Sequence, residues 1–379
     1  MNPQLTNEAI DAGRAAEVAA KLRLLREALA EGVDGSHAGA IRLRGADWFA
    51  WATGGAEASP LLADGPDGAE LLVTADEACV LADAVEAERL RGAGLPDGFT
   101  FHIAPWAEPE LHDRYVLGAA GGGIVLSDRP QRAEDALPHS LRLRRTALSA
   151  DEQERLRQLG RDAAAAVGDA LRAARPGWTE YALGAAAAQA LMQRGIQPAM
   201  VLAAGARRMP LQRRPAPTAE LLGSRALLAV SARRHGLHAN LVRCVSFGPL
   251  PDDLRLEHQA LLQVEATGLD AVRPGQSLAA VIHALDAAYR HADRTDALQA
   301  SHQGGITGYL PYEMLASPST ATGIETGMAF AFAPGLPGIA VQDTFLLGAG
   351  GLDNLTADPA WPSTTIGGRV RPLWLEAAP

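Results

Sequence analysis

Side chains that could take part in catalysis or metal binding gather in the last quarter of the chain. His302, Tyr309 and Glu313 lie in one glycine-containing segment, SHQGGITGYLPYE. An imidazole can move a proton near neutral pH, and a carboxylate can serve as a general base or as a metal ligand. Asp343 follows in an apolar stretch, IAVQDTFLL. Plainer roles are open as well: a hydrogen-bonded loop histidine, an exposed loop glutamate and a buried structural aspartate.

The elements that must position these side chains include a β-ribbon. Residues 226–248, ALLAVSARRHGLHANLVRCVSFG, alternate in the manner of paired strands. His235 and His238 fall on this ribbon, and we expect both to be solvated. Cys244 is expected to be a core thiol, because no histidine or acidic base stands at a spacing that would activate it.

Helices and further strands surround the ribbon in a predicted α+β region, residues 148–379. The capping-box pattern at 149–152 begins a helix that we expect to stop at Pro176-Gly177, and a second helix follows from Thr179 to Gln193. Further strands are predicted at 199–205, 328–333 and 339–347, and further helices at about 252–271 and 277–291. The order of two helices followed by strands occurs twice in this region, which indicates internal pseudo-symmetry.

The first 130 residues predict a smaller α/β layer domain. A helix is expected over 8–31, and residues 77–92 are expected to be helical at least in their second half. Strands are predicted at 38–43, 70–74, 99–104 and 122–127. Residues 131–147 are polar and contain proline, so we predict that they form a linker between the two domains.

Composition excludes several classes of protein. The chain has 379 residues and a net charge of -10, which gives no electrostatic reason to bind nucleic acid or an anionic membrane. No apolar run approaches the ~20 residues of a membrane span, and the N-terminus lacks a signal-peptide pattern. The two cysteines, Cys79 and Cys244, fit buried thiols better than a disulfide framework. We therefore expect a cytoplasmic protein.

In their order and spacing these motifs resemble the pita-bread metallopeptidases, which include Xaa-Pro dipeptidase, aminopeptidase P, methionine aminopeptidase and creatinase. The segment LRLLREALAEGVDGSHAGAIRLRGADWFAWATGG resembles a creatinase-type N-terminal domain. The C-terminal motifs that carry the resemblance are ARPGWTE, GLHANLVRCVSFG, SHQGGITGYLPYE, ETGMAFAFAPGL and AVQDTFLL. The resemblance covers nearly the whole chain. It implies an α/β creatinase-like N-terminal domain, an α+β pita-bread C-terminal domain and a homodimer.

Active members of that family hold two divalent cations, such as Mn, Co or Zn, with two aspartates, one histidine and two glutamates. The resemblance places these five ligands at Ala229, Asn240, His302, Ala333 and Gln342. Only the histidine is retained. Two divalent cations bring roughly +4 charge into a pocket and need oxygen anions to offset it, whereas an amide is neutral and an alanine has no ligand atom. We therefore expect no metal cofactor.

Three functions stay open after this comparison. The first is a catalytically silent homologue of the Xaa-Pro peptidases that binds a peptide or a small anion. The second is an active Xaa-Pro dipeptidase with an atypical ligand set, drawn from His302, Glu313 and Asp343. The third is a metal-independent hydrolase of the creatinase type, although Leu211 follows Pro210 where that mechanism has its catalytic histidine. Whether the chain is an enzyme is left open.

Arginines supply the hypothesis for a ligand. The resemblance places several of them at the mouth of the family's active site, and a guanidinium can hold a carboxylate or phosphate through two parallel hydrogen bonds. The candidates for anion or substrate binding are Arg207, Arg208, Arg213 and Arg243. The alternative is that these side chains lie on solvated surfaces.

Overall fold

The structure is a computed structural model that describes residues 3–33, 35–58, 68–93 and 95–378, with the backbone alone for residues 3–12. Residues 1 and 379, the outer limits of the predicted domains, lie outside this part of the chain. The chain divides into two compact units, Met1–Arg145 and Thr146–Pro379. None of the described helices is long and apolar enough to cross a membrane.

The first unit is a mixed α/β layer. Its helices are α1 (Pro3–Glu31), α2 (Ala46–Ala52), α3 (Ala84–Gly92), α4 (Glu110–Ala119) and α5 (His139–Thr146), which runs to the boundary. Its strands are β1 (Ala38–Leu43), β2 (Glu70–Val73), β3 (Ala78–Ala82), β4 (Thr100–Ile103), β5 (Ile124–Ser127) and β6 (Glu134–Ala136). They form one sheet in the order β4-β3-β2-β1-β5-β6. The α/β prediction for this region is confirmed.

One segment of the first unit differs from its prediction, and in another the structure decides what the prediction left open. Residues 78–82, ACVLA, form the buried strand β3, because this short apolar run pairs between β2 and β4. The following residues form α3, capped by the side chain of Asp83, which confirms the helix predicted for the second half of residues 77–92. Residues 131–147 are no open linker: they contain β6, which extends the sheet, and helix α5. Polar composition concealed both, since β6 is an exposed edge strand.

The second unit contains the helices α6 (Ala150–Ala173), α7 (Glu180–Met192), α8 (Asp252–Asp270), α9 (Leu278–His291) and α10 (Ala297–Ala300). Its strands are β7 (Gln197–Gly205), β8 (Arg225–Arg234), β9 (Leu237–Phe247), β10 (Gly304–Thr307), β11 (Met314–Leu315), β12 (Ala329–Phe332), β13 (Gly335–Leu336), β14 (Ile339–Ala340), β15 (Phe345–Gly348), β16 (Gly351–Asn354), β17 (Ser363–Ile366), β18 (Arg369–Pro372) and β19 (Leu375–Ala377).

Two sheets of the second unit hold the candidate site. One has the order β19-β9-β8-β7 and contains the predicted ribbon, and the other has the order β11-β10-β12-β15-β16. A single apolar cluster joins residues of both sheets to α8 and α9. The predicted strand over 339–347 is split into β14 and β15, because residues 342–344 turn polar side chains into the protein instead of continuing a ladder.

Local chemistry explains how α6 begins. The hydroxyl of Ser149 accepts from the amide of Glu152 at 3.3 Å, and the Glu152 carboxylate accepts from the amide of Ser149 at 2.7 Å. Both halves of the predicted capping box are therefore present. The second oxygen of Glu152 accepts from the hydroxyl of the buried Tyr309 at 2.6 Å. Glu152 thus ties the start of α6 to the segment after β10.

Candidate functional site

The ribbon of β8 and β9 supplies the first two positions of the candidate site. Ala229 pairs with Val242, and Ser231 pairs with Asn240. Directly opposed residues of an antiparallel pair share one face of the sheet. Ala229 and Val242 lie in the apolar cluster that joins the two sheets, together with Phe332. Position 229 is therefore buried and apolar.

Asn240 is buried, and its polar atoms are held by the last residue of β10 and by residues that follow β10 and β14. Its amide group donates to the hydroxyl of Thr307 and to the carbonyl of Pro311, at 3.1 Å each. Its backbone exchanges hydrogen bonds with the hydroxyl of Thr344 at 2.7 and 2.9 Å. An aspartate carboxylate and the Pro311 carbonyl are both hydrogen-bond acceptors and could not pair with each other. These surroundings therefore suit an amide at position 240.

A chain of contacts links the other polar positions. The amide of Gln342 donates to the hydroxyl of Tyr312 at 2.8 Å. The ring of Tyr312 stands edge-on to that of His302, with 5.2 Å between centroids. Nη1 of Arg214 lies 3.1 Å from Nε2 of His302. Sequence reasoning singled out neither Tyr312 nor Arg214 as a partner of the imidazole, because no local pattern marks contacts between separate loops.

The four side chains linked by these contacts carry no negative charge. Burial, and then the nearby guanidinium of Arg214, lower the pKa of His302 below its ordinary value, so the ring is neutral at physiological pH. Burial raises the pKa of Tyr312, so its hydroxyl stays protonated. Gln342 is uncharged, and Arg214 carries the one formal charge on the four side chains. The net charge of the chain of contacts is +1.

The residues at the five positions do not fit a dinuclear metal centre. Ala229 is apolar, and Ala333 contributes only a backbone amide, which donates to the Gln303 carbonyl at 2.8 Å. Asn240 and Gln342 are neutral amides, and His302 faces a guanidinium. Within the described ranges, no group of three or more His, Cys, Asp or Glu side chains could hold a metal ion. The donor set lacks the anions that hard divalent cations require.

Asp343 belongs to a buried ion-pair network that the sequence did not predict. Its carboxylate accepts from Arg243 Nη2 at 2.8 Å, from the Thr356 hydroxyl at 2.6 Å and from Arg371. Arg371 also holds Glu265 through two hydrogen bonds, at 2.6 and 2.5 Å. We call Arg243, Asp343, Arg371 and Glu265 the buried quartet. Its two cations and two anions sum to zero charge.

Partly opposing effects act on the carboxylates of the buried quartet. Burial works to raise the pKa of Asp343, but the guanidinium groups of Arg243 and Arg371 hold it below its ordinary value. Burial raises the pKa of Glu265 despite its contact with Arg371. Asp343 is therefore the firmly ionised member, and it is engaged by internal partners on both oxygens. It has a structural role in this arrangement, one of the roles that the sequence left open.

Tyr309 and Glu313 also have internal partners. The Tyr309 hydroxyl is committed to Glu152, and the Glu313 carboxylate accepts from the Tyr309 amide at 2.8 Å. The structure therefore does not assemble His302, Glu313 and Asp343 into a common ligand set. What it brings to His302 instead is Arg214, together with Tyr312.

Most of the candidate arginines are neutralised within the protein. Arg208 is buried and pairs with Glu180, and Arg243 pairs with Asp343 inside the buried quartet. Arg207 is exposed and pairs with Glu220. Arg213 is half-buried beside the Tyr289 hydroxyl, and burial lowers the pKa of its guanidinium. Of the candidate arginines, Arg213 has no carboxylate partner among the described residues, and neither does its neighbour Arg214.

The two histidines of the ribbon have different surroundings. His235 is exposed at the turn, as expected, but the expectation of a solvated His238 is wrong. His238 is buried, with its Nδ1 3.2 Å from the Ser231 hydroxyl. Burial, and then the charge of Arg233, lower the pKa of His238 to about 3. Alternation along the ribbon did not reveal this, because both faces of β9 are covered.

Comparison with known proteins identifies the class to which this fold belongs. The model of metallopeptidase family M24 matches residues 154–351, more than half of the chain. No curated protein matches it significantly. The chain belongs to metallopeptidase family M24, and the predicted resemblance to the pita-bread family is confirmed.

Solved structures show the same two-domain fold at low identity. Xaa-Pro dipeptidase from Bacillus anthracis has a TM-score of 0.73 and 16% identity, with 90% of this chain and 98% of that chain covered. A dipeptidase from Pyrococcus horikoshii OT3 has a TM-score of 0.74 and 18% identity, with 95% and 99% covered. The N-terminal domain of the FACT complex subunit SPT16 from Cicer arietinum (chickpea) has a TM-score of 0.70 and 12% identity, with 90% and 96% covered.

Removing one charge from the buried quartet should destabilise the protein strongly. Asp343→Asn leaves Arg243 and Arg371 without their shared anion, and breaking a buried ion pair in this way costs about 3–5 kcal/mol. Urea unfolding measures the loss. The control is Asp353→Asn, which alters an exposed aspartate and should change the free energy of unfolding by less than about 0.5 kcal/mol. Equal losses in both variants would contradict the role given to Asp343.

The buried His238 should make stability depend on pH. Its folded-state pKa of about 3 lies below the ordinary 6.5, so the unfolded chain binds a proton first and stability falls as pH drops through 6.5 towards 3. This effect is about 3 kcal/mol between pH 7 and pH 4. Urea midpoints of His238→Gln should fall less over that range than those of the wild type. His291→Gln, at an exposed position, should follow the wild type, and parallel curves for all three would refute the assignment.

Proposed function

We propose that this chain is a member of family M24 that carries no dinuclear hydrolytic centre and binds the carboxylate of a peptide or small anion. The observation that carries the proposal is the donor set at the five positions that the family resemblance assigns to metal ligands. It contains one imidazole, two amides and two methyl groups, with no carboxylate. A bridging hydroxide between two cations cannot be supported by such a set.

Arg214 explains why the ligand should be an anion. Its guanidinium touches the imidazole of His302, and it has no carboxylate partner among the described residues. The ring of His302 is neutral, so the positive charge of Arg214 is not offset by its neighbour. A site with net positive charge repels a divalent cation and attracts a carboxylate, to which a guanidinium can donate two hydrogen bonds.

The relatives suggest which carboxylate this is. Two of the similar structures are named as an Xaa-Pro dipeptidase and a dipeptidase, which implies a short peptide with a free C-terminus as the ligand class. A third is named as a domain of a complex subunit and not as a peptidase, which supports a binding role on the same scaffold. Function belongs to the side chains placed on a fold, not to the fold itself.

The other two hypotheses receive less support from the contacts. An atypical metal site would need Glu313 and Asp343, whose carboxylates are committed to the Tyr309 amide and to the buried quartet. A creatinase-type mechanism would need a histidine at Leu211, whose side chain is exposed and apolar. We propose that the protein acts in the cytoplasm as a homodimer; its buried, unpaired thiols suit a reducing compartment.

Metal content and hydrolysis test the first half of the proposal. After incubation with Mn²⁺, Zn²⁺ or Co²⁺ and gel filtration, the protein should retain well below one metal ion per chain by elemental analysis. Ala-Pro and Gly-Pro should remain uncleaved with Mn²⁺ and with a chelator. Nearly two ions per chain with chelator-sensitive cleavage would establish an active dipeptidase instead. Cleavage that ignores the chelator would point to a metal-independent hydrolase.

Calorimetric titration tests the second half. Ala-Pro should bind, and Arg214→Gln should weaken the binding at least tenfold, because a hydrogen bond to a charged group contributes about 1.5–3 kcal/mol. Ala-Pro amide, which lacks the carboxylate, should bind the wild type as weakly as Ala-Pro binds the variant. Arg161→Gln, at an exposed position on α6, is the matched control and should leave affinity unchanged. An affinity for Ala-Pro that is indifferent to Arg214 would exclude this site.

A further inference from the structure

Two histidines of the first unit lie beside each other at the edge of its sheet. His102 is on β4, the edge strand, and His112 is on α4. Their ring centroids are 5.4 Å apart, and their planes meet at 73°. Tyr115, which follows His112 by one turn of α4, stacks on the ring of His102 with 4.0 Å between centroids. The stacking holds the plane of His102, so the two imidazoles form a defined pair.

One nitrogen of each ring lacks a hydrogen-bond partner. Nε2 of His102 and Nδ1 of His112 are both buried, and neither has a partner among the described residues. Buried polar atoms in folded proteins are almost always hydrogen-bonded or bound to a metal ion. Two such nitrogens on neighbouring rings therefore indicate one species that satisfies both.

The distance between the rings fits a single metal ion. A zinc–nitrogen bond is ~2.0–2.1 Å and the ring centroid lies about 1.1 Å beyond the nitrogen, so two imidazoles on one tetrahedral ion have centroids about 5.2 Å apart. The observed separation of 5.4 Å is close to this value. Imidazole nitrogens suit Zn²⁺, Ni²⁺ and Cu²⁺, whereas Mg²⁺, Ca²⁺ and Mn²⁺ prefer oxygen ligands.

A cavity beside His112 offers space and charge for the rest of the coordination shell. Its volume is about 460 Å³, and His112 is one of its lining residues. Five carboxylate side chains and two arginines also line it, so its formal charge is -3. Negative charge attracts a divalent cation, and the cavity can admit water as a ligand. The carboxylates alone would select no particular cation; the two imidazoles select a transition metal.

We propose that Nε2 of His102 and Nδ1 of His112 bind one divalent transition-metal ion such as Zn²⁺ or Ni²⁺, with water from the cavity completing its coordination. The site lies within the first unit and is independent of the proposed carboxylate site, so either can fail without the other. Two protein ligands hold an ion less firmly than the four of a closed structural site. The ion therefore exchanges with solvent and is lost on gel filtration, so its binding is measured at equilibrium.

Equilibrium dialysis against Zn²⁺ and Ni²⁺ tests the proposal. The wild type should bind one ion per chain saturably, and excess Mg²⁺ should not displace it. His102→Gln and His112→Gln should each weaken binding about tenfold or more, because one of two protein ligands is lost. His139→Gln, which alters an exposed histidine of the same unit, should bind as the wild type does. Absence of saturable wild-type binding, or unchanged binding by either of the first two variants, overturns the proposal.

Nitrogen NMR of histidine-labelled protein keeps the result interpretable if a variant folds poorly. In the wild type, Zn²⁺ should shift the resonances of His102 Nε2 and His112 Nδ1 and leave those of the other histidines unmoved. Shifts confined to the opposite nitrogen of each ring would overturn the proposal. His302→Gln should bind Zn²⁺ as the wild type does. Loss of binding in that variant would place the ion at the candidate site of the second unit and would contradict both proposals.

Discussion

The arrangement of the second unit depends on the ion pairs within the buried quartet. Arg243 lies on β9, Arg371 on β18, Glu265 on α8 and Asp343 in the break between β14 and β15. Charges removed from water are tolerated only when each finds a partner, so four separate segments must meet at one point. These ion pairs fix the position of the break between β14 and β15 relative to the ribbon. Because Gln342 directly precedes Asp343, the polar side of the candidate site is positioned by the same contacts.

In the proposed carboxylate site, charge is arranged differently from that in a metal centre. A metal centre brings cations from solution and needs side-chain anions to hold them. Here the cation is covalently part of the protein, as Arg214, and the neighbouring side chains are an imidazole, a phenol and amides. The apolar packing of Ala229 against Val242 fits this arrangement, since it leaves no polar cavity at that position. In the proposed carboxylate site, the fold of family M24 is retained, and the positive charge is supplied by Arg214 instead of by bound cations.

Sequence reasoning recovered the elements and missed the long-range contacts. Local periodicity placed β1 and the helices α6 and α7 within a few residues, because burial of one face repeats along the chain. It left ACVLA at 78–82 undecided, because a short apolar run suits a helix or a central strand and only the neighbouring strands decide between them. The buried quartet was not predicted, because Glu265 and Arg371 lie 106 residues apart and pairing over such a distance leaves no local sequence pattern. The contact between Arg214 and His302 was not predicted for the same reason.

The packing around Ala229 has an evolutionary consequence. An aspartate at that position would bury a carboxylate among apolar side chains, and without a bound cation such burial costs several kcal/mol. At Asn240 an aspartate would face the carbonyl of Pro311, which now accepts from the amide. Each step towards a carboxylate cluster is therefore unfavourable until the others are present. Single substitutions at Ala229 and Asn240 therefore offer no gradual route by which a carboxylate cluster could arise in this interior.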